Sequence, residues 1–138
     1  MEFSVPRTTY GEEHQLYRDA VRRFLASQVV PHHAQWEEDG QVSREGKLQA
    51  GAAGFLCSNA PEQYGGAGAD YKYNAVFTEE MGYAGATGPG FSIHSDMAAN
   101  YILNFASDEL KAKWVPRMVA GTCITALGLT EPHAGSDL

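Results

Sequence analysis

The chain has 138 residues, 43% of them hydrophobic and 20% charged, which suits one ordinary domain that folds without disulfides or metals. The chain has 17 acidic and 10 basic residues, and its formal net charge of -7 argues against a surface that binds nucleic acid. No apolar run approaches the roughly 18 residues that a membrane-spanning helix needs.

The first predicted helix occupies the region between Thr9 and Pro31. Thr9 and Glu12 have the pattern of a capping box, and Pro31 is expected to end or bend the helix because its ring removes a backbone donor. Apolar residues recur between them at helical spacing. They are Leu16, Tyr17, Ala20, Val21, Phe24, Leu25 and Val29.

Two further helices are predicted in the middle of the chain. A short one lies near residues 44–53, with Gly54 at its C-terminal cap. The loop "YGGAGAD" follows, and it is interpreted as a structural turn because it lacks the third glycine of a dinucleotide fingerprint and the lysine of a P-loop. Asp70 is placed to cap a third helix that ends near Gly85. The predicted inner stripe of this helix is Tyr73, Val76, Phe77, Met81 and Ala84.

A fourth and a fifth helix follow the turn "GATGPG". The fourth has an apolar face that is interpreted first as helix-packing core and second as a wall for an apolar ligand. Ser107 begins the fifth helix, and Pro116 is expected to break it. The apolar face of the fourth helix carries Ile93, Met97, Ala98, Tyr101, Ile102 and Phe105.

The hydrophobic period changes to that of a β-strand at residues 123–130. Because a single strand leaves its ladder groups unpaired, it is predicted to be the first strand of a following β-domain. The predicted fold class is therefore all-α, with a helical domain at residues 1–122 and the start of a truncated β-domain at residues 123–138.

Cysteines and histidines give no sign of a disulfide or of a metal site. Cys57 and Cys123 lack CxxC spacing, which favours free thiols in a reducing compartment. The pair His32 and His33 diverges on a helix, and the other histidines follow no ligand spacing. The start "MEFSVPRTTY" resembles no export or organelle signal, so the sequence predicts a cytoplasmic location.

The stretch "LTEPHAGSDL" carries the most specific chemistry in the chain. Thr130 offers a hydroxyl at a strand end, while Pro132 and Gly135 favour a turn that exposes backbone N–H groups and Ser136. Donors in this arrangement suit an oxygen-rich or phosphorylated cofactor. Glu131 could act as a general base, but a glutamate before proline in a turn serves equally well as a structural residue.

These residues resemble the signature of the acyl-CoA dehydrogenase family, a strand that runs into a Thr-Glu-Pro-x-Ala-Gly-Ser-Asp turn, here residues 130–137. The stretches "PEQYGGAGAD" and "SDELKAKWVPRMVAGTCITALGLTEPHAGSDL" are also similar to the family's N-terminal helical domain. "VVPHHAQWEEDGQVSRE" and "GPGFSIHS" look closest to its long-chain branch. The chain departs from the pattern at His133 and in lacking the usual aromatic near "REGKLQAG".

The resemblance implies an enzyme of fatty-acid β-oxidation that uses FAD. It removes a proton from the carbon α to an acyl-CoA thioester and passes a hydride from the β carbon to flavin N5. Electron-transfer flavoprotein is the implied electron acceptor, and the parent protein is expected to be a homo-oligomer, a tetramer or a dimer. The implied catalytic base is a glutamate beyond Leu138, so no catalytic residue is assigned and the chain alone is expected to be inactive.

Site residues are carried over from the same resemblance. Leu127 and Leu129 would border the flavin ring, and Thr130 would hydrogen-bond its pyrimidine side. Gly135 and Ser136 would approach the FAD phosphate and the acyl-CoA, so Ser136 is also assigned to the substrate. Met97, on the apolar face of the fourth helix, is the second residue assigned a substrate contact. No metal ligand is assigned.

Two alternatives stay open at this point. The chain could be a free-standing helical interaction module that kept the fold without the chemistry. It could also belong to a related flavoenzyme, an acyl-CoA oxidase or a nitroalkane oxidase. Under the resemblance, the position of the last residues suggests a fragment or a truncated product.

Overall fold

A computed structural model describes residues 8–136. Helices form the regular secondary structure in that range, and no β-strand occurs there. The predicted all-α class is confirmed. Six α-helices follow one another in the described range, together with two π-helical turns, Leu25–Val29 and Ile93–Ala98, and a 3₁₀ turn, Glu62–Tyr64. The α-helices are α1 (Glu12–Phe24), α2 (Val30–Asp39), α3 (Arg44–Ala52), α4 (Tyr71–Tyr83), α5 (Ala99–Phe105) and α6 (Asp108–Val119).

Helix α1 begins with a cap that differs from the predicted one. Gly11 is the N-cap residue, and its N–H donates to Nδ1 of His14 at 3.0 Å. The predicted capping box of Thr9 and Glu12 is therefore wrong. His14 is buried at the third helical position, where a side-chain acceptor can take the part that glutamate or glutamine has in a capping box.

Neither proline ends the helical run. Pro31, expected to end or bend the first helix, is the second residue of α2 and follows the π-helical turn Leu25–Val29, which joins α1 to α2 without a gap. The N–H of Val30 bonds to the carbonyl of Leu25, five residues back, so the hydrogen-bond pattern changes just before the proline while the helical backbone continues. Pro116 lies inside α6 between the fully buried Val115 and Met118. Packing of these neighbours holds the helix together although one backbone hydrogen bond is lost, so the predicted break is wrong.

The core lies between α1, α4 and the loop after α3, and aromatic rings fill much of it. Phe55 contacts Phe24 at a ring-centroid distance of 5.0 Å and Tyr17 at 5.6 Å. It also contacts Phe77 at 5.8 Å, and Phe77 in turn meets Phe91. The predicted stripe of α4 is confirmed at Val76, Phe77 and Met81, which are buried, whereas Tyr73 and Ala84 are half-buried.

The predicted core stripe of the fourth helix is mostly on the surface. Ile93, Met97, Tyr101 and Phe105 are 45%, 46%, 57% and 80% exposed. The π-helical turn Ile93–Ala98 adds a residue to the turn and changes which side chains face inward. The buried ones are His94, Ser95, Ala98 and Ala99. The interpretation of this face as core is therefore wrong for the four exposed residues. The second interpretation, a wall for an apolar ligand, remains for them.

Glycines in "YGGAGAD" serve the turn, as predicted. Gly65 and Gly68 have φ values of +87° and +57°, which other residues rarely adopt. A Cβ on Gly66 would lie 2.1 Å from the carbonyl oxygen of Ala60. The loop therefore places Asp70, whose side chain accepts from the N–H of Lys72 and caps α4 as expected.

The predicted strand at residues 123–130 is not formed. The segment has no regular structure, because no neighbouring strand in the described residues offers it a ladder. We call residues 123–136 the C-terminal segment. Asp137, the last residue of the predicted signature, and Leu138 lie outside the described residues. No helix within residues 8–136 is long and apolar enough to cross a membrane.

Candidate functional site

An open apolar groove of about 570 Å³ lies between the exposed side of the π-helical turn Ile93–Ala98 and the C-terminal segment. Residues 88–90 also line the groove, and α3 contributes Lys47. Apolar side chains from both walls face the space. The lining residues are Val42, Lys47, Gly88, Pro89, Gly90, Ile93, Met97, Ile124, Thr125, Ala126, Leu127 and Leu129.

Three residues that the sequence assigned to ligand contacts meet in this groove. Met97 comes from the helical wall, and Leu127 and Leu129 come from the C-terminal segment about thirty residues later. Met97 and Leu129 are 46% and 59% exposed, so apolar surface faces the open groove. The arrangement can receive a flat or extended apolar group.

The other predicted site residues lie just past the groove and do not line it. Thr130, Gly135 and Ser136 are exposed on either side of a short turn. The N–H of Glu131 donates to the carbonyl of Ala134 at 2.7 Å, and the reverse bond measures 3.3 Å. A Cβ on Gly135 would meet no atom within 4 Å, so the backbone there is open to approach. Hydroxyls and bare backbone suit an oxygen-rich ligand.

His94 joins the groove to the helices beneath it, a role that the sequence did not reveal. Its ring is 2% exposed. Nδ1 lies 2.8 Å from Oγ1 of Thr125 and accepts from the Thr125 N–H at 3.3 Å, and Nε2 lies 3.0 Å from the carbonyl oxygen of Met118. Burial lowers the pKa of His94, the Met118 carbonyl opposes this shift, and the positive charge of Lys47 adds to it.

Lys47 is a second residue that sequence reasoning missed. It is only 6% exposed, its Nζ donates to the carbonyl of Pro89, and the ammonium lies 4.4 Å from the centroid of the Phe91 ring. Burial lowers its pKa to about 8. The available signal in the sequence was the stretch "REGKLQAG", which contains Lys47 and lacks the aromatic residue that is usual there in the similar family.

His32 and His33 have structural partners, whereas His133 is exposed in the C-terminal segment. His33 Nε2 accepts from the N–H of Gly88 at 3.3 Å, and His32 stacks on Trp36. No cluster of three or more His, Cys, Asp or Glu side chains suited to a metal occurs in the described part of the chain. Both cysteines are free, and burial raises the pKa of Cys57 to about 12, so its thiol stays protonated.

Comparison with known proteins matches both the sequence and the fold. The model for the acyl-CoA dehydrogenase N-terminal domain matches residues 11–122. Long-chain specific acyl-CoA dehydrogenase of Sus scrofa, a mitochondrial protein by its name, is 47% identical over 132 residues, which are 96% of this chain and 31% of that protein.

Two solved structures extend the comparison. An acyl-CoA dehydrogenase from Geobacillus kaustophilus matches with a TM-score of 0.90 and 39% identity, covering 96% of this chain and 35% of that one. An acyl-CoA dehydrogenase from Bacillus anthracis, solved in complex with FAD, matches with a TM-score of 0.85 and 29% identity, covering 96% of this chain and 23% of that one. The chain spans about a third or less of the length of these proteins.

Proposed function

The chain belongs to the acyl-CoA dehydrogenase family, and on that premise we propose that it is the N-terminal helical domain of an FAD-dependent acyl-CoA dehydrogenase. The proposed domain is residues 1–122, and residues 123–138 begin the next domain. The observation that carries the proposal is the meeting of Met97, Leu127 and Leu129 in one open apolar groove. The longer relatives also have regions beyond the part that matches this chain. We use the term intact protein for a polypeptide that combines this chain with such regions.

The residues beside the groove fit one wall of a flavin site. Leu127 and Leu129 would present apolar surface to the ring, and Thr130, which is exposed, would donate a hydrogen bond from its hydroxyl to the polar edge of the ring. Gly135 and Ser136 offer backbone and hydroxyl donors to a phosphate. FAD, when bound, supplies the acceptor for the hydride that leaves the substrate β carbon.

The substrate side of the proposal rests on Met97 and Ser136. Met97 gives a flexible apolar contact for an acyl chain, and Ser136 gives a polar contact for the acyl-CoA. A long-chain acyl-CoA is the proposed substrate class, and electron-transfer flavoprotein is the proposed electron acceptor. The base that takes the α proton is assigned to no residue of this chain. A homo-oligomer and a cytoplasmic location remain predictions.

Flavin content and its response to substrate test the proposal. The intact protein should purify with FAD, and a long-chain acyl-CoA added without oxygen should bleach the flavin absorbance. The 138-residue chain purified alone should neither retain FAD through gel filtration nor oxidise acyl-CoA, because a ligand held on one wall lacks most of its enclosing contacts. An intact protein without flavin affinity would support the alternative of an interaction module, and a bound flavin that acyl-CoA does not reduce would favour another flavoenzyme.

A further inference from the structure

His94 lies where three parts of the fold meet. It belongs to the π-helical turn Ile93–Ala98, its Nε2 faces the carbonyl of Met118 near the end of α6, and its Nδ1 faces Thr125 in the C-terminal segment. Its ring is almost fully enclosed, at 2% exposure. A histidine in this place couples the segment to the helices.

Within residues 8–136, the hydrogen bonds that tie residues 124–130 to the helices both run between Thr125 and His94. Upstream, the N–H groups of Thr122 and Cys123 donate to the carbonyl of Arg117. Downstream, the backbone hydrogen bonds of Glu131 and Ala134 among the described residues run between these two residues. The path of the segment along the groove is therefore held by packing of half-buried side chains such as Leu127 and by this one imidazole.

We propose that His94 is a positioning residue of the ligand site: its imidazole holds Thr125 so that Leu127, Leu129 and Thr130 take their places along the groove. This inference rests on the proposed function, because it assigns those residues to the flavin. His94 acts through the backbone of the C-terminal segment, and it does not line the groove itself.

The partners of the ring determine its hydrogen-bonding state. A carbonyl only accepts, so Nε2 carries the proton that it donates to Met118. A backbone N–H only donates, so Nδ1 accepts from Thr125 and carries no proton. The neutral ring protonated at Nε2 satisfies both neighbours at once. ¹⁵N NMR of the imidazole should therefore report this tautomer at neutral pH, and a proton at Nδ1 would overturn the inference.

Two substitutions separate positioning from helix packing. His94→Asn keeps an acceptor near the place of Nδ1 and loses the contact with Met118, whereas His94→Gln keeps a donor near Nε2 and loses the contact with Thr125. In the intact protein, His94→Gln should weaken FAD binding about five- to tenfold and alter the flavin absorption band, the effect of about one hydrogen bond. His94→Asn should stay within about twofold of wild type, since it keeps the bond to the segment.

A second pair of variants covers the case in which His94→Gln fails to fold. Thr125→Val removes the hydroxyl next to Nδ1, and Thr125→Ser retains it; Thr122→Val is the control, since the Thr122 hydroxyl donates to Arg117 and not to His94. Thr125→Val alone should weaken FAD binding and alter the absorption band.

Wild-type FAD affinity in Thr125→Val, or a loss in His94→Asn as large as that in His94→Gln, would overturn the inference and leave the proposed function standing. An intact wild-type protein without FAD affinity would overturn both.

Discussion

Glu80 in α4 accepts hydrogen bonds from Arg18 in α1, and the two side chains are only 2% and 8% exposed. Arg22, one turn further along α1, donates to the same carboxylate at 2.6 Å but is 55% exposed. Burial alone would raise the pKa of Glu80, but hydrogen bonds from Arg22 and Arg18 outweigh it and lower the pKa below its ordinary value. The carboxylate is therefore charged at neutral pH and joins α1 to α4.

Removal of the Glu80 charge should destabilise the fold. Glu80→Gln removes one of the two carboxylates at the buried guanidinium of Arg18, and Glu79, 2.8 Å from that guanidinium, remains as its counter-charge. We therefore expect the free energy of unfolding to fall by about 1–3 kcal/mol, the loss of a buried, charge-assisted hydrogen bond. Arg22→Gln removes a partner that solvent already reaches, so it should cost less than about 1 kcal/mol. Urea denaturation measures both, and equal losses in the two variants would contradict this view of the pair.

Close packing between α3 and the end of α6 predicts opposite effects for two helical glycines. A Cβ on Gly51 would lie 2.4 Å from the carbonyl of Ala120, whereas a Cβ on Gly82 in α4 would meet nothing within 4 Å. Gly51→Ala should lower the free energy of unfolding by about 1–3 kcal/mol. Gly82→Ala should raise it by about 0.5–1 kcal/mol, since alanine favours helix. Thermal or urea unfolding of the pair checks the sign, and a neutral Gly51→Ala would show that the packing is looser.

The lowered pKa of His94 makes the stability of the chain depend on pH in a defined direction. In the unfolded chain His94 binds a proton at about pH 6.5, whereas the folded chain binds it only at lower pH. The contribution of His94 to the free energy of unfolding is therefore fully present above about pH 6.5, and it is lost as the pH falls toward the pKa of His94 in the folded chain. The difference in unfolding free energy between wild type and His94→Asn should narrow on acidification from about pH 8 to pH 5. A difference that widens would contradict the neutral, buried ring.

Thr130→Val tests the assigned contact at the polar edge of the flavin. The change keeps the shape of the side chain and removes its hydroxyl, so FAD binding in the intact protein should weaken by about 1–3 kcal/mol or the flavin potential should shift. Thr122→Val removes a hydroxyl that bonds to Arg117 and serves as the control. Unchanged FAD affinity and an unchanged flavin spectrum in Thr130→Val would remove this residue from the site.

Local signals predicted the helices well because their causes lie within a few residues. Asp70 and Ser107 cap α4 and α6, and each side chain accepts from a backbone N–H two or three residues later. The helix ends predicted at prolines were wrong, because the effect of a proline depends on its position in the helix and on packing. Pro116, for example, lies inside α6 between two buried residues. The predicted strand needed a partner that the described residues do not contain.

The candidate site was predictable only in part. Leu127 and Leu129 came from the family resemblance, Met97 came from an apolar helical face interpreted as a possible ligand wall, and the structure places all three in one groove. His94 and Lys47 could not be found in this way, because their roles depend on Thr125, Met118 and Pro89, which lie 24 to 42 residues away in the chain. Periodicity also could not predict that the π-helical turn would leave Met97 exposed.

Affinity for a long-chain acyl-CoA in two matched variants of the intact protein tests most directly whether the groove is the ligand wall. Met97 lies in the groove and is 46% exposed, whereas Leu110 in α6 is 47% exposed and does not line it. A charge at Met97 would have to lose its hydration on binding, so Met97→Asp should raise the acyl-CoA concentration for half-bleaching of the flavin by about tenfold or more. Leu110→Asp should leave it within about twofold, because solvent still reaches that side chain. Equal values in the two variants, or wild-type affinity in Met97→Asp, would contradict the assignment of the groove.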